Sequence, residues 1–565
     1  MDDISTDHVS KLQLLTADDI YDTRIASRRA ASHEVAQDDY AARRVPATWR
    51  WSAWGSLWAF SGISTAMVFI LTGGLLVTFY GGNAVIAATL LTFLYTAVGV
   101  YYMSRKASNE GAVVELISKH TFGFKGSAYE IVIYGILGVV YFSLEGHVMS
   151  AALSEVIPAL PYAASAAIVC VAFIPLSLYG MQFLTKFEAL TVWIYALGML
   201  LVAYGVFAGW SKDVNSSLAG HDWWNINPNN VPFTWQAVFG AFGTIAGVLG
   251  AILILLCTDM ARFAKRSDAR KAGLLLALIG VSVPLVLAMI SGVYLVSASA
   301  GKIADPGIAL PRVLGVGGLL LVVLTQVRIN VVNVYFGTTA LENFTLQVFQ
   351  IKWTRQRLLI PFMVLAYLLL ISPLLKYFST IMTMLSVFLV NWASVILGDL
   401  WLVRKRYGIP QWAEFRRGYV ASYNKIGMLS MWLPTAVGIV MGSGKYGPQI
   451  QALAVPLTGA AAFLMPAIVS SLLSKQRVLA QYFARIPQSV AGLQEVSECS
   501  LCGEAFHRSD FVLCPFHKGK YICSRCCATE SGCKLMCHGE TATDLQRADK
   551  TPALNQTAGG SHERK

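Results

Sequence analysis

The sequence predicts an all-α membrane protein with about twelve transmembrane helices and a small Cys-rich module near the C-terminus. Three observations carry this prediction. The chain is 55% hydrophobic and only 13% charged, it contains a series of long apolar runs, and eight of its ten cysteines lie between residues 499 and 537. A soluble domain carries about 25% charged residues, so this composition cannot cover a globule with solvated side chains. We therefore expect lipid to surround most of the chain.

Twelve apolar runs are long enough to cross the hydrocarbon core of a bilayer, which takes about 20 helical residues. Lipid offers the backbone no hydrogen-bonding partners, so such runs are expected to be helices rather than open strands. They form a predicted transmembrane domain at residues 49–475, preceded by a polar N-terminal segment at residues 1–48. The runs are residues 52–80, 84–104, 127–156, 162–180, 187–209, 232–258, 272–298, 313–338, 358–376, 379–402, 427–443 and 451–473.

The Lys and Arg residues of the loops are concentrated on one side of the predicted bundle, by nineteen to five. The positive-inside rule then places the N-terminus, the basic loops and the C-terminal tail in the cytoplasm. The formal net charge of +12 follows from the same topology. Because the basic residues are not gathered in one module, a nucleic-acid partner is not expected. We expect an integral protein of a bacterial inner membrane, surrounded by the lipid bilayer.

Glycines in spans one and six allow two interpretations. The first span carries Gly73 and Gly74, and the sixth carries Gly247 and Gly250 within the stretch GAFGTIAGVLG. Glycine lets helix backbones approach closely, so tight packing is one interpretation. Interruptions in two spans that lie five apart are also typical of transporters with an inverted five-helix repeat, whose unwound segments bind substrate at the midplane.

Five segments, in order along residues 38–475, carry a family resemblance. They are DDYAARRVPATWRWSAW at 38–54, SKHTFGFKG at 118–126, CTDMARFAKR at 257–266, the stretch with Asn330, Asn333 and Tyr335, and GDLWLVRKRYG at 398–408. Together they resemble the nucleobase–cation symporters of the purine–cytosine permease type. The resemblance implies a LeuT-like five-plus-five inverted repeat, with a planar heterocycle bound between spans one, three, six and eight.

The resemblance also implies substrate-binding residues. Tyr141 stands where family members often carry a tryptophan and Glu145 where they carry a glutamine, and the two share one face of a helix. Gly250 takes the place of the second aromatic wall, and Asn330 and Asn333 lie near the family's Asn-rich stretch. Glu145 can accept hydrogen bonds from two adjacent N–H donors of a heterocycle, and such charge-assisted bonds are strong.

Arg328 lies in span eight, in a stretch where sodium-coupled relatives have two hydroxyl side chains; its neighbours here are Val327 and Ile329. A charged side chain inside a span is costly, so it suggests a function. The guanidinium is always protonated and supplies the charge that a bound cation would otherwise supply. Sodium-independent transport is therefore the expectation. Glu145 could instead serve only to pair with Arg328, and the two roles are compatible.

The C-terminal tail carries the most specific local motif in the chain. Two CxxC pairs at this separation suit a tetrahedral zinc ion, because each pair spans two adjacent corners of the tetrahedron. We assign one zinc ion to Cys499, Cys502, Cys523 and Cys526, and a second to Cys514, Cys533, Cys537 and either His517 or Cys527. The module covers residues 495–540, and the polar residues 541–565 are expected to be disordered.

Disulfide bonds and an iron–sulfur cluster are the alternatives to zinc for these cysteines. Disulfides need an oxidising compartment, which conflicts with a cytoplasmic tail. An iron–sulfur cluster is also held by cysteine thiolates and is the lesser alternative. Zinc therefore remains the expected ligand of the module.

Three functions fit these observations. The first is a secondary active transporter, or permease, for a nucleobase-like or other small nitrogenous compound. The second is a transporter-like receptor that signals through its tail to a cytosolic partner. The third is a RING-like ubiquitin ligase, although the spacing around Cys523 and Cys537 departs from the RING pattern. The membrane part shows no convincing nucleophile elbow, glycine-rich phosphate loop or HExxH pattern, so no enzyme is expected there.

Overall fold

The structure, a computed structural model, describes most of the predicted transmembrane domain and much of the Cys-rich tail. The N-terminal residues 1–42 and the tail residues 541–565 lie outside the described residues, as does Cys537. The described residues are 43–45, 49–177, 181–351, 353–373, 378–485, 493, 496–530 and 533.

Helices account for nearly all of the apolar part of the chain. Numbered along the sequence, they are α1 (Ala53–Ser64), α2 (Val68–Tyr80), α3 (Gly82–Glu110), α4 (Val114–Phe122), α5 (Ala128–Val156), α6 (Tyr162–Leu176), α7 (Met181–Phe207), α8 (Ser216–Ala219), α9 (Trp235–Ile245), α10 (Ile252–Ala261), α11 (Ala269–Leu275), α12 (Val283–Ala298), α13 (Pro306–Leu314), α14 (Val316–Val348), α15 (Arg355–Leu370), α16 (Phe378–Gly398), α17 (Arg404–Tyr407), α18 (Lys425–Gly442), α19 (Pro448–Ser471) and α20 (Lys475–Tyr482).

Three stretches of wider, π-helical winding join helices into continuous spans. They are Ala246–Ala251, Leu276–Ser282 and Asp399–Val403, which connect α9 to α10, α11 to α12 and α16 to α17. Within the described residues, nine helical segments are long and apolar enough to cross a membrane. The remaining three of the twelve predicted runs are shorter helices, namely the α1–α2 pair, α6 and α15. The prediction of a helical membrane protein is confirmed.

Close helix packing accounts for several of the span glycines. A Cβ atom at Gly73 would lie 2.4 Å from the Met289 carbonyl oxygen of α12, and one at Gly138 would lie 2.6 Å from the Gly337 Cα of α14. Helices α2 and α12, and α5 and α14, therefore meet backbone to backbone, as small residues in membrane helices allow. The interruption of span one falls instead between Ser64 and Val68, away from Gly73.

Span six provides a matched test of this packing. A Cβ atom at Gly247 would lie 2.0 Å from the Ser386 Cα, whereas one at Gly243 would meet the Val455 side chain at 3.4 Å, an ordinary contact. We expect Gly247→Ala to destabilise the protein by about 1–3 kcal/mol, because overpacking forces the backbone to shift. Gly243→Ala should be nearly neutral. Thermal unfolding of the two purified variants in detergent measures this, and equal melting temperatures would contradict the packing.

The Cys-rich tail forms two small hairpins and a short helix. Strand β1 (Val496–Glu498) pairs antiparallel with β2 (Ala505–His507), and β3 (Phe511–Cys514) pairs antiparallel with β4 (Lys520–Cys523), which leads into α21 (Ser524–Thr529). The core of the tail includes Tyr419, from the loop between α17 and α18. The tail therefore packs at the end of the helical bundle that carries the Lys- and Arg-rich loops, called the basic end below.

Candidate functional site

Span one is interrupted next to Glu145. Helix α1 ends at Ser64 and α2 begins at Val68, and the Val68 N–H donates a hydrogen bond of 3.1 Å to Oε2 of Glu145, which lies on α5. The first N–H groups of a helix have no partners within it and carry partial positive charge, so a carboxylate there is stabilising. Within the described residues, Oε1 of Glu145 has no hydrogen-bond partner, and the side chain is buried.

The π-helical segment of span six lies against the same face of α5. The Tyr141 hydroxyl, one turn before Glu145, donates a hydrogen bond to the Val248 carbonyl oxygen. The Val248 N–H donates to Ser386 Oγ of α16 at 3.2 Å, and that hydroxyl donates to the Thr244 carbonyl at 3.0 Å. These bonds engage backbone groups within and just before the irregular segment, which a membrane interior otherwise leaves without partners.

A small cavity lies between these interrupted spans. Its volume is about 20 Å³, room for about one water molecule, and its lining comes from spans one, three, six and eight. Pockets that bind small organic ligands are usually about 300 Å³ or larger, so a ligand requires this site to open. The lining includes two residues of α2 and α14 that the sequence did not single out, Phe69 and Phe336, together with Tyr141, Glu145 and Asn333.

Two predicted residues do not line the cavity. A Cβ atom at Gly250 would meet Thr96 Oγ1 of α3 at 2.9 Å, so this position faces the second span, while Val248 and Ile252 line the cavity. The wider π-helical turn places a different set of residues on the cavity face than regular α-helical winding would. Asn330 does not line the cavity but contacts a residue that does. Its Oδ1 accepts a hydrogen bond of 3.0 Å from Nδ2 of the lining residue Asn333.

Arg328 of α14 lies at the other side of the interruption. Its guanidinium donates a hydrogen bond of 2.9 Å to Ser61 Oγ in the last turn of α1, and its side chain is fully buried. The C-terminal end of a helix carries partial negative charge, so a fixed cation is favoured there. The two halves of span one thus end beside ionisable side chains, Arg328 near the end of α1 and Glu145 at the start of α2.

Sequence reasoning did not identify every polar residue of this site. The Gln326 side chain lies beside the Glu145 carboxyl group, and Ser61 and Ser386 donate or accept the hydrogen bonds given above. A single serine or glutamine in an apolar run has no distinguishing pattern. The role of the Val68 N–H cannot be predicted from the identity of its side chain, because the N–H is a backbone group.

Four of the five segments that carried the family resemblance meet in pairs at the basic end. Trp51 stacks on Phe263 with ring centroids 4.6 Å apart, which joins the approach to span one to the end of span six. Asp399 forms a buried ion pair with Arg404 at 2.8 Å and accepts a hydrogen bond of 2.9 Å from Thr121 of α4. These four motifs therefore fix how helices join at this end, whereas Asn333 of the fifth lines the cavity.

Glu115 and His120 are two of the buried titratable side chains of α4 in this region. Burial raises the pKa of Glu115 to about 8, and the nearby Asp259 carboxylate contributes to that rise. Burial, and next the Arg404 charge, hold the pKa of His120 well below its ordinary value. Both side chains are therefore mainly neutral at pH 7.

The tail brings four cysteines into one cluster. The Sγ atoms of Cys499, Cys502, Cys523 and Cys526 all lie within 4.8 Å of one another, which makes them the one group of three or more candidate metal ligands among the described residues. Backbone N–H groups donate to the sulfurs, from Cys523 to Cys499 Sγ at 3.3 Å and from Cys526 to Cys523 Sγ at 3.3 Å. Such bonds stabilise thiolate charge, and four sulfur atoms at this separation could hold a metal ion.

The other predicted tail ligands are only partly brought together. Cys514, Cys527 and Cys533 line one small cavity. His517 does not line it, and its Nε2 lies 3.0 Å from Oε2 of the lining residue Glu530. Cys537, the remaining ligand of the predicted second site, lies outside the described residues. The second metal ion stays a prediction.

No protein-family model and no curated protein matches this chain. Solved structures do match. The chain is similar to Mhp1, a nucleobase-cation-symport-1 family transporter, in a closed conformation with bromovinylhydantoin bound, at 18% identity over 78% of this chain and 99% of that one, with a TM-score of 0.56. An inward-facing conformation of Mhp1 matches at 16% identity over 81% and 96%, with a TM-score of 0.58.

The chain has the fold of these transporters. A Na⁺-coupled sialic acid symporter in a substrate-bound outward-open state shares it, at 9% identity over 81% of this chain and 94% of that one and a TM-score of 0.52. The transporter fold confirms the predicted LeuT-like architecture and an integral membrane protein. Irregular winding in spans one and six, five spans apart, is what its inverted repeat produces.

Proposed function

We propose that this chain is a secondary active transporter for a nucleobase-like or other small nitrogenous compound. The observation that carries the proposal is the position of Glu145, a buried carboxylate at the start of the α2 half-helix, with Oε1 unbonded within the described residues and Tyr141 one turn away beside a closed cavity. The transporter fold supports it, because that fold binds substrates where spans one and six are interrupted.

In this proposal Glu145 accepts hydrogen bonds from N–H groups of the substrate, and aromatic rings flank its plane. Tyr141, Phe69 and Phe336 supply rings around the cavity, and Asn333 supplies an amide. A buried carboxylate favours substrates with two adjacent donors or with positive charge, because those bonds are charge-assisted. Alternating access opens the site to each side of the membrane in turn.

We further propose that transport is independent of sodium. Arg328 places a permanent positive charge beside Ser61 at the end of α1, and the adjacent Val327 and Ile329 have no side-chain oxygen to coordinate a small hard cation. Protons, exchange or the substrate gradient would then drive movement. We propose that the basic end faces the cytoplasm of a bacterial inner membrane, with both termini on that side.

The test of transport begins with a thermal-shift screen of purines, pyrimidines, hydantoins and related heterocycles on the purified protein. The compound that gives the largest shift is then radiolabelled for uptake into proteoliposomes. Uptake above that of empty liposomes supports a transporter. A compound that binds but never enters supports the alternative of a transporter-like receptor.

We propose zinc as the metal of the four-cysteine cluster, since four thiolates in a tetrahedral set favour zinc. Elemental analysis of the purified protein should give roughly two zinc ions per chain if the second site also forms, and one otherwise. Cys499→Ser should remove one zinc ion and unfold the tail but not the spans, because the binding energy of a structural zinc is largely folding energy. Cys170→Ser, in α6, is the control. Iron with visible absorbance, or no metal, would contradict this assignment.

A further inference from the structure

The tail is held against the basic end by arginine side chains that bind its backbone. Arg416 donates to the Phe511 carbonyl oxygen at 2.6 Å, Arg485 to the Leu513 carbonyl at 3.2 Å, and Arg417 to the Glu530 carbonyl at 2.8 Å. All three arginines are buried. The acceptors lie on β3 and just after α21, so these bonds require the tail to be folded.

A buried ion pair ties the tail to the segment that leads into span one. Arg44 donates from its guanidinium to Asp510 Oδ1 at 3.0 Å and from its backbone N–H to Oδ2 at 3.1 Å, and it also donates to the Ala413 carbonyl at 2.7 Å. Both side chains are buried. One arginine thus joins three parts of the chain, which are the approach to α1, the loop after α17 and the tail.

Apolar contacts complete the same surface. Tyr419 lies in the core of the tail beside Cys499, Phe506 and Phe511. Ala528 of α21 packs against Phe124, Leu346 and Val420, from the loop before α5, the end of α14 and the loop before α18. The four-cysteine cluster and this contact surface share α21, since Ala528 follows the cluster residue Cys526 by two positions on that short helix.

We propose that the metal-bound tail is an intramolecular binding partner of the basic end, and that it restrains the opening of the transporter on that side. The four cysteines come from the β1–β2 turn, the end of β4 and α21, so metal loss would release the elements that present Asp510, Phe511 and Ala528. Release would free the segment that leads into α1. The α1 half-helix is the part of span one that must move when the basic end opens. The docking of the tail on the basic end is inferred from the contacts described above. Only its effect on transport rests on the proposed function.

Hydrogen exchange followed by mass spectrometry tests the docking on the full-length protein in detergent, with zinc present and after removal by a chelator. We expect exchange at residues 43–60 and 411–420 to rise by about tenfold or more on zinc removal, because a broken buried ion pair is strongly destabilising. Peptides of α18 and α19 should not change. Zinc added back should restore protection.

Asp510→Asn separates docking from metal binding, since Asp510 is not a cluster residue. It should keep its zinc content and raise exchange at residues 43–60 without zinc removal. Glu504→Gln is the matched control, because Glu504 is an exposed acid of the tail whose ion pair is with Arg525, within the tail. Zinc removal that unfolds residues 496–530 but leaves residues 43–60 and 411–420 unchanged would overturn the docking.

The effect on transport is measured separately, as uptake by Asp510→Asn and Glu504→Gln in proteoliposomes. We expect Asp510→Asn to change the uptake rate by about threefold or more while Glu504→Gln behaves as the unaltered protein. Equal rates in all three proteins, with exchange raised in Asp510→Asn, would overturn the restraint but not the docking. Absence of uptake in all three would count against the proposed function and would leave the exchange result intact.

Discussion

Glu145→Ala is expected to abolish high-affinity substrate binding, with a loss of affinity of about 30-fold or more. Removing one partner of a buried, charge-assisted hydrogen bond costs about 2–5 kcal/mol, and each 1.4 kcal/mol is about tenfold in affinity. The variant also leaves the Val68 N–H at the start of α2 without its acceptor. Isothermal titration with the compound selected by thermal shift measures the change.

Two further variants make this result specific. Glu145→Gln should keep the fold and shift the preference among substrates, because an amide accepts with one atom and donates with the other. Glu130→Gln is the matched control, since Glu130 is equally buried on the same helix, α5, but does not line the cavity. Unchanged dissociation constants in both Glu145 variants would show that this carboxylate is not in the site.

Substrate binding is expected to stay constant when sodium is replaced by choline. Two unit charges about 4 Å apart at an effective dielectric of about 20 repel by about 4 kcal/mol, roughly a thousandfold in affinity, so the Arg328 guanidinium opposes a bound cation there. Glu145 would soften this repulsion but would not supply the missing ligands. The sequence beside Arg328 offers only Val327 and Ile329.

Sodium is titrated against choline at constant ionic strength and pH while substrate affinity is measured. Arg328→Gln provides the comparison, because it removes the charge and keeps a hydrogen-bonding side chain near Ser61. We expect no response in the unaltered protein. A sodium-dependent rise in affinity of about tenfold or more, equivalent to about 1.4 kcal/mol, would mean that a sodium site exists despite Arg328.

Hydropathy located the helices because it sums over whole spans, and every predicted apolar run is helical in the described structure. It could not locate the interruption of span one. That break lies at residues 65–67, where the partner of the Val68 N–H is a carboxylate 77 residues away, and no local pattern encodes a contact of that range. Gly73, one of the glycines that suggested a break in span one, faces the backbone of α12.

The residues that line the cavity were predictable where the winding is regular. Tyr141 and Glu145 share a face of the uninterrupted helix α5, and both line the cavity. Gly250 was assigned by its position in span six, but the π-helical segment Ala246–Ala251 alters which residues face the cavity. In the tail, the CxxC spacing grouped Cys499, Cys502, Cys523 and Cys526, because close pairs on short hairpins leave few other arrangements.

The central claim is that the chain moves its ligand across a membrane, and uptake into proteoliposomes tests it most directly. The radiolabelled compound is added outside vesicles that hold an excess of unlabelled compound, with the unaltered protein or Glu145→Ala. We predict accumulation of label by the unaltered protein, equal in sodium and in choline, and none by Glu145→Ala. Saturable binding of the compound with no entry of label under any of these conditions would contradict this claim.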